Sequence, residues 1–351
     1  MKKSLNMVLT ILGILIVGLV IGWILGPKAP TPILNTSLPE LTEDLKKLEE
    51  EINSSEKAQA QLKPNNEARI IWADGYEYQK SPVSVVYLHG FSASQGEGDP
   101  VHIEFAKRYG CNLFLSRLQS HGLETEEPLL DLTPENLMES AKFAIAVGER
   151  LGDETILMST STGGTLALYL ASEHPDLAGL ICYAPNVDVK DPSSELLVGP
   201  WGLQLARLVM GGKYRMWESS EEEQNYWTTK YRLESLIALK ALVNATMTEE
   251  VFNKVTNPIF LAYYYKSETE QDDVVSIPRM LEMYDQIGTP ESMKRKVELP
   301  DVGTHPLASK YTSQDIESVL EATYSFAEEV LGLIPIPILA TDSLTNELTK
   351  D

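Results

Sequence analysis

The stretch Thr155-Ile-Leu-Met-Ser159-Thr160-Ser161-Thr162-Gly163-Gly164-Thr165-Leu-Ala-Leu constrains the fold more than any other part of the chain. A short apolar run ends in a cluster of small residues, and an apolar pattern with helical spacing follows at once. That layout suits a strand that turns sharply into a helix with a serine at the turn. Such a turn strains and crowds the backbone, so small residues are needed two positions before and two after the serine. It also pushes the hydroxyl out above the sheet edge. Around Ser161 those positions hold Ser159 and Gly163. Ser159 departs from the pattern G-x-S-x-G but keeps the side chain small. The amide of Thr162 opens the helix and points at a developing oxyanion. Serine-rich strand ends with paired glycines also occur as plain turns, so the rest of the chain must decide.

A serine nucleophile needs a base, and the base needs a carboxylate to hold its tautomer. Of the five histidines, His89, His102, His121, His174 and His305, only His305 lies well downstream of Ser161. It follows the strand-like Lys296-Val-Glu-Leu and sits in a loop with Gly303, which suits a catalytic histidine. Before it, Ile259-Phe-Leu-Ala-Tyr-Tyr-Tyr reads as a buried strand. The polar loop after that strand carries Glu268, Glu270, Asp272 and Asp273, each a candidate acid. Upstream of the serine, the apolar run from Val83 enters His89-Gly90-Phe91, and the run from Cys111 ends in Arg117…His121-Gly122.

Taken together, His89-Gly90-Phe91, Arg117…His121-Gly122, the Ser161 turn, and Asp272-x-Val-Val with His305 resemble the α/β-hydrolase superfamily. The branch is the one of carboxylesterases and monoacylglycerol-lipase-like enzymes. The order Ser, Asp, His is also theirs, unlike the trypsin and subtilisin orders. The resemblance runs from roughly residue 68 to roughly residue 330. It implies Ser161 as nucleophile, His305 as general base and then acid, and Asp272 as the partner of His305. The pattern leaves Asp273 in the variable position. The resemblance further implies an oxyanion hole made by the backbone amides of Phe91 and Thr162. His89 and His121 are expected to bond loops beneath that hole, and Arg117 to anchor a loop. His102 is expected on the surface or on a helix, and His174 at a helix end. The implied substrate is a small-molecule or lipid ester, with no cofactor and no metal. The triad itself does not choose an ester over a thioester, an amide or a carbon–carbon bond. A non-catalytic binding protein of the same fold is the other class to weigh, although it would not need all three triad residues.

The fold class read from the chain is α/β: a mostly parallel central sheet with helices on both faces and a helical cap insertion. Strands alternate with helices from 83 to 183. Pro100–Tyr109 reads as a helix with Phe105 on its apolar face. Thr133 followed by Pro134 starts a helix that runs to about Leu151. Glu67 to Trp72 reads as the first strand, with Tyr76-Glu-Tyr as its hairpin partner. Between Asn186 and Asn257 the alternation fails. By the resemblance this insertion forms a cap over the site. Its apolar residues, among them Leu196, Trp201, Leu208, Met210, Trp227 and Tyr231, either line an acyl pocket or pack the cap onto the body.

The amino terminus is of another kind. Met1-Lys2-Lys3 precedes an apolar stretch from about Met7 to Leu25, the length a membrane-spanning helix requires. Residues 1–25 therefore read as a signal anchor, with a cleavable signal peptide as the competing reading. The lysines before it and the acids after it put the start in the cytoplasm and the hydrolase domain outside, in the periplasm or extracellular. A Pro-rich linker spans 26–37. Within 38–66, Leu41, Leu45, Leu48 and Ile52 mark an amphipathic helix that docks on the body or forms a short coiled coil. The hydrolase domain spans 67–332, with the cap at about 186–257, and a tail runs over 333–351. A net charge of −22 opposes nucleic-acid binding. Cys111 and Cys182 give no disulfide framework and read as small buried residues. The oligomeric state is not legible.

Overall fold

The computed structural model describes residues 2–337. Helix α1 (Lys2–Ile24) is followed by extended chain, then by α2 (Leu45–Lys57). Strands β1 (Arg69–Ile71) and β2 (Ser81–Leu88) come next, then α3 (Val101–Tyr109), β3 (Asn112–Leu115), α4 (Pro134–Leu151), β4 (Gly152–Thr160), α5 (Thr162–Ala171) and β5 (Gly179–Tyr183). The insertion holds α6 (Gly202–Val209), β6 (Tyr214–Met216), α7 (Glu221–Gln224) and β7 (Lys230–Arg232), and is followed by α8 (Leu233–Thr246) and α9 (Glu249–Lys254). The chain then returns to the sheet through β8 (Ile259–Tyr263), with a small ribbon of β9 (Tyr265–Ser267) and β10 (Glu270–Gln271). It closes with α10 (Ile277–Gln286), β11 (Lys294–Glu298) and α11 (Ile316–Glu329).

Seven strands form one sheet in the order β1-β3-β2-β4-β5-β8-β11. Every pairing is parallel except β1 with β3. The expected mostly parallel sheet is thus present. Successive strand residues face opposite sides, and β2 shows what each side meets. Val86 points at Gly148 of α4, while Tyr87 points at Gly98 and at His102 of α3, with ring centroids 4.8 Å apart. Helices therefore cover both faces. The central strands are buried on both, so they read as continuous apolar runs.

Local rules set the helix starts. Thr133 Oγ1 accepts from the Asn136 amide at 3.1 Å, and Asn136 Oδ1 accepts from the Thr133 amide at 2.9 Å, a reciprocal cap with Pro134 in the first turn. Asp44 caps α2 by accepting from Lys47 N at 3.1 Å. The amphipathic helix consequently begins at Leu45, and Leu41 packs on the core from extended chain. Leu45, Leu48 and Ile52 are buried against the body. Each such burial contributes about 1.5–3 kcal/mol before ordering costs. Arg117 adds a bidentate pair to Glu56, at 2.6 and 2.9 Å, and also donates to His121 O at 3.2 Å. The apolar face of α2 is spent on its own chain, as the docked reading expects, and Arg117 is the expected loop anchor.

Three expectations need correction. Tyr76–Tyr78 is not a hairpin partner. Gly75 and Tyr78 both hold positive φ, so the segment curls into turns, and β1 pairs instead with β3. The insertion is not wholly helical, because β6 and β7 form an antiparallel pair within it. Of the two places expected for His102, the helix holds and the surface does not: it is on α3, fully buried, and bonds Gln95 O at 2.8 Å. His174 lies just beyond α5 and bonds Thr36 O at 2.9 Å, tying the extended segment to the body. Cys111 and Cys182 are buried and free. The tail expectation falls largely on residues 338–351, outside the described residues.

Leu5–Ile24 is 20 residues long, with a mean hydropathy of 2.7 and no buried surface. By length and composition it is able to cross a membrane or to serve as a signal sequence. Its end is tied to the insertion. Trp201 donates from Nε1 to Gly22 O at 3.0 Å and from its amide to Pro27 O at 2.7 Å.

Candidate active site

Ser161 sits between β4 and α5 with φ 52° and ψ −117°. That backbone region favours glycine, and holding another residue there costs about 1–3 kcal/mol. Its surroundings enforce it. The Ser161 amide donates to Tyr183 O at 3.0 Å, and its carbonyl accepts from Asn186 N at 2.9 Å. A side chain at Gly163 would run into the carbonyls of Leu88 and His89, and one at Gly164 would meet Pro185. Glycine is thus required where α5 presses on the oxyanion loop. Ser159 fits the usual glycine position because its buried hydroxyl finds Ile181 O at 3.3 Å.

The acid and base come together at the carboxyl ends of neighbouring strands, the edge where open α/β sheets place their sites. His305 Nδ1 donates to Asp272 Oδ2 at 2.6 Å. Asp272 is fully buried, and its Oδ1 accepts from the amides of Val274 at 2.8 Å and Val275 at 3.0 Å. The spacing Asp-x-Val-Val thus has a physical content: the two valines supply the amides that fix the carboxylate. Burial alone would raise the Asp272 pKa, but His305 and the two amides outweigh it and hold the carboxyl below its ordinary range. Burial would likewise lower the His305 pKa, yet Asp272, Glu97 and Asp273 together raise it above its ordinary value. Among the other candidate acids, Glu268 bonds the Tyr265 hydroxyl, and Asp273 and Glu270 are exposed.

Ser161 and His305 are both nearly buried, at 6% and 7% exposed. Among the described residues no hydrogen bond joins Ser161 Oγ to His305, a contact that often tightens only when substrate is bound. Also among the described residues, the amides of Phe91 and Thr162 have no protein partner, which leaves both free to donate to an oxyanion. Beneath them, His89 donates from Nδ1 to Gly90 O at 2.9 Å and accepts from Leu118 N at 3.0 Å. Burial drives its pKa well down, consistent with that neutral tautomer. His121 bonds Gln119 O at 2.8 Å, and burial takes its pKa down to about 4. Both histidines brace the loops. Sequence reasoning missed Glu97, a buried carboxylate whose Oε2 accepts from the Gly90 amide. The available signal was the Gly96-Glu97-Gly98 triplet shortly after His89-Gly90-Phe91, which marks a tight approach but no charge requirement. Among the described residues no group of three or more His, Cys, Asp or Glu side chains could hold a metal ion.

No family model matches the chain. A thermostable monoacylglycerol lipase from Bacillus sp. (strain H-257) is 29% identical over 117 residues, 33% of this chain and 46% of that protein. The chain thus spans less than half the length of the curated relative it matches. Among solved structures, one comes from work on LipS and LipT, two metagenome-derived lipolytic enzymes. It has a TM-score of 0.60 at 20% identity, over 76% of this chain and 98% of the other. The monoacylglycerol lipase of Paleococcus ferrophilus gives a TM-score of 0.55 at 13% identity, over 76% and 98%. The chain has the α/β-hydrolase fold, and these relatives and neighbours are lipolytic enzymes.

Proposed function

We propose that this chain is a membrane-anchored serine hydrolase that cleaves carboxylic esters with apolar acyl chains. The observation that carries the reading is the buried Asp272–His305 pair at 2.6 Å on the same sheet edge as a serine held at φ 52°. Ser161 Oγ attacks the ester carbonyl carbon while His305 takes its proton. The tetrahedral oxyanion is held by the amides of Phe91 and Thr162, each such donor contributing about 3 kcal/mol. Collapse breaks the ester bond, and His305 returns the proton to the departing alcohol. Water then repeats the sequence on the acyl-enzyme and releases the acid. Asp272 keeps the imidazole in the tautomer that serves both steps.

A cleft of about 360 Å³ beneath α6, lined by Leu197, Leu205, Val209, Leu233, Leu236 and Leu239, offers room for an apolar chain, but none of Ser161, Asp272 and His305 lines it. The apolar-substrate part therefore rests on similarity to lipolytic proteins. The anchor part is supported by Leu5–Ile24, and the lysines ahead of it favour a hydrolase domain on the non-cytoplasmic side. Turnover of p-nitrophenyl esters of increasing chain length on washed membranes tests both parts. The expected result is a full-length protein in the pellet whose kcat/KM rises from acetate to longer chains. A shortened, soluble enzyme contradicts the anchor, and indifference to chain length contradicts the apolar substrate.

A further inference from the structure

Glu97 lies in a short turn, Gln95–Gly98, and is 2% exposed. It is held from three directions. The Tyr226 ring packs against Gly96, Ser309 Oγ donates to Gly96 O at 2.8 Å, and Tyr87 and His102 close on Gly98. The turn therefore touches the insertion, the loop after His305 and the sheet at once. Its carboxyl points inward to the Gly90 amide, one residue before the oxyanion donor Phe91. A Cβ placed on Gly90 would lie 2.8 and 2.9 Å from the two Glu97 oxygens and 2.9 Å from Ser161 Cβ. Carboxyl, nucleophile and oxyanion loop thus converge on one point.

The acyl-transfer scheme needs no carboxylate there, and burying one is costly. It would also oppose a neighbouring oxyanion. Its retention calls for a compensating role, and the compensating charge is the His305 imidazolium. Asp272 occupies Nδ1 of that ring, while Glu97 stands by Ser161, whose proton the ring's other nitrogen must take. The charges acting on His305 are those of Asp272, in direct contact, and of Asp273 in the segment after β10 and Glu97 in the turn after β2. Those facing Glu97 are the Gly90 amide, His305 and Tyr87. Burial pushes the Glu97 carboxyl up to about 7, against the amide and His305, which hold it down, so its counter-charge acts at neutral pH and above and fades below.

We propose that Glu97 is a positioning residue of this site, its carboxylate clamping the Gly90–Phe91 loop and serving as a second counter-charge to the His305 imidazolium. The inference rests on the serine hydrolase reading. It makes His305 a stronger base at the cost of a proton held to higher pH. Removing the charge lowers the His305 pKa, so the neutral, active imidazole persists further into acid.

The test is the rate at which a fluorophosphonate labels Ser161 in the full-length protein as pH is lowered. Glu97→Gln keeps an oxygen for the Gly90 amide and removes only the charge. Its acid limb is expected below that of the wild type, by up to about 1 pH unit, because Glu97 takes up its own proton near neutrality. Glu97→Asp retains the charge with a shorter reach, so its limb stays near the wild-type position while the limiting rate falls. An unmoved limb in Glu97→Gln overturns the proposal, and so does a limb that moves as far in Glu97→Asp. If the glutamine variant does not fold, Glu97→Met is read in its place, and failure of both to fold overturns the proposal by making the carboxyl a structural clamp alone. A wild type that does not label overturns the hydrolase reading itself, whereas an unmoved limb in labelling proteins overturns only the role of Glu97.

Discussion

The sheet edge around Ser161 and the insertion around α6 are specified in opposite ways. At the edge, residue type follows from backbone contact. Gly163 is glycine because the carbonyls of Leu88 and His89 leave no room, and the valines after Asp272 present the amides its carboxylate needs. In the insertion, Leu196, Trp201, Leu208 and Met210 are apolar but 38–77% exposed. Others of the insertion's large residues, such as Trp227 and Tyr231, are buried. Packing onto the body accounts for these and for Leu233, Leu242 and Phe252 further on, but not for the exposed set. Of the exposed set, Trp201 is bonded to the end of α1 at Gly22 and to Pro27, and exposed apolar surface marks an interaction site more often than chance. One region is set by backbone contacts within the fold, and the other leaves part of its apolar surface uncovered.

That contrast can be broken by substitution. Asp272→Asn carries the largest expected effect. The amide can still accept from Val274 and Val275 but turns a donor toward His305 Nδ1, forcing the wrong tautomer. Steady-state kinetics should show kcat down by roughly 10⁴-fold, with the melting temperature little changed. A loss below tenfold would mean that the edge is not tuned as described. Leu205→Trp fills the cleft beneath α6 and carries a smaller effect. A fall of about tenfold in kcat/KM is expected for long-chain esters, with acetate unaffected, since a filled apolar pocket forfeits about 1–3 kcal/mol of chain binding. Equal losses on both substrates would mean that the insertion acts on the chemistry and not on chain recognition.

Much of the fold was legible because periodicity and caps are local. The strands at 83–88 and 259–263, the helix from Pro134 to Leu151 and the sharp turn at Ser161 all follow from patterns within a few residues. Pairing was less legible. The partner of β1 is β3, some forty residues on, and nothing local distinguishes it from the nearer Tyr76–Tyr78. The start of α2 slipped by one turn because Leu41 continues the apolar spacing while Asp44 supplies the cap. In the site, the Asp272–His305 pairing was anticipated, and the structure adds the two amides behind it. Glu97 escaped because burial of a carboxylate depends on three segments that meet only in the folded chain.

The most direct measurement is the mass of the full-length protein and its peptides after exposure to a fluorophosphonate, with the wild type beside Ser161→Ala. Phosphonylation forms a bond from Ser161 Oγ to phosphorus and expels fluoride. The account predicts a single adduct on the Ser161 peptide that is absent from the folded alanine variant. A folded wild type without an adduct, or an adduct that persists in the variant, would contradict it.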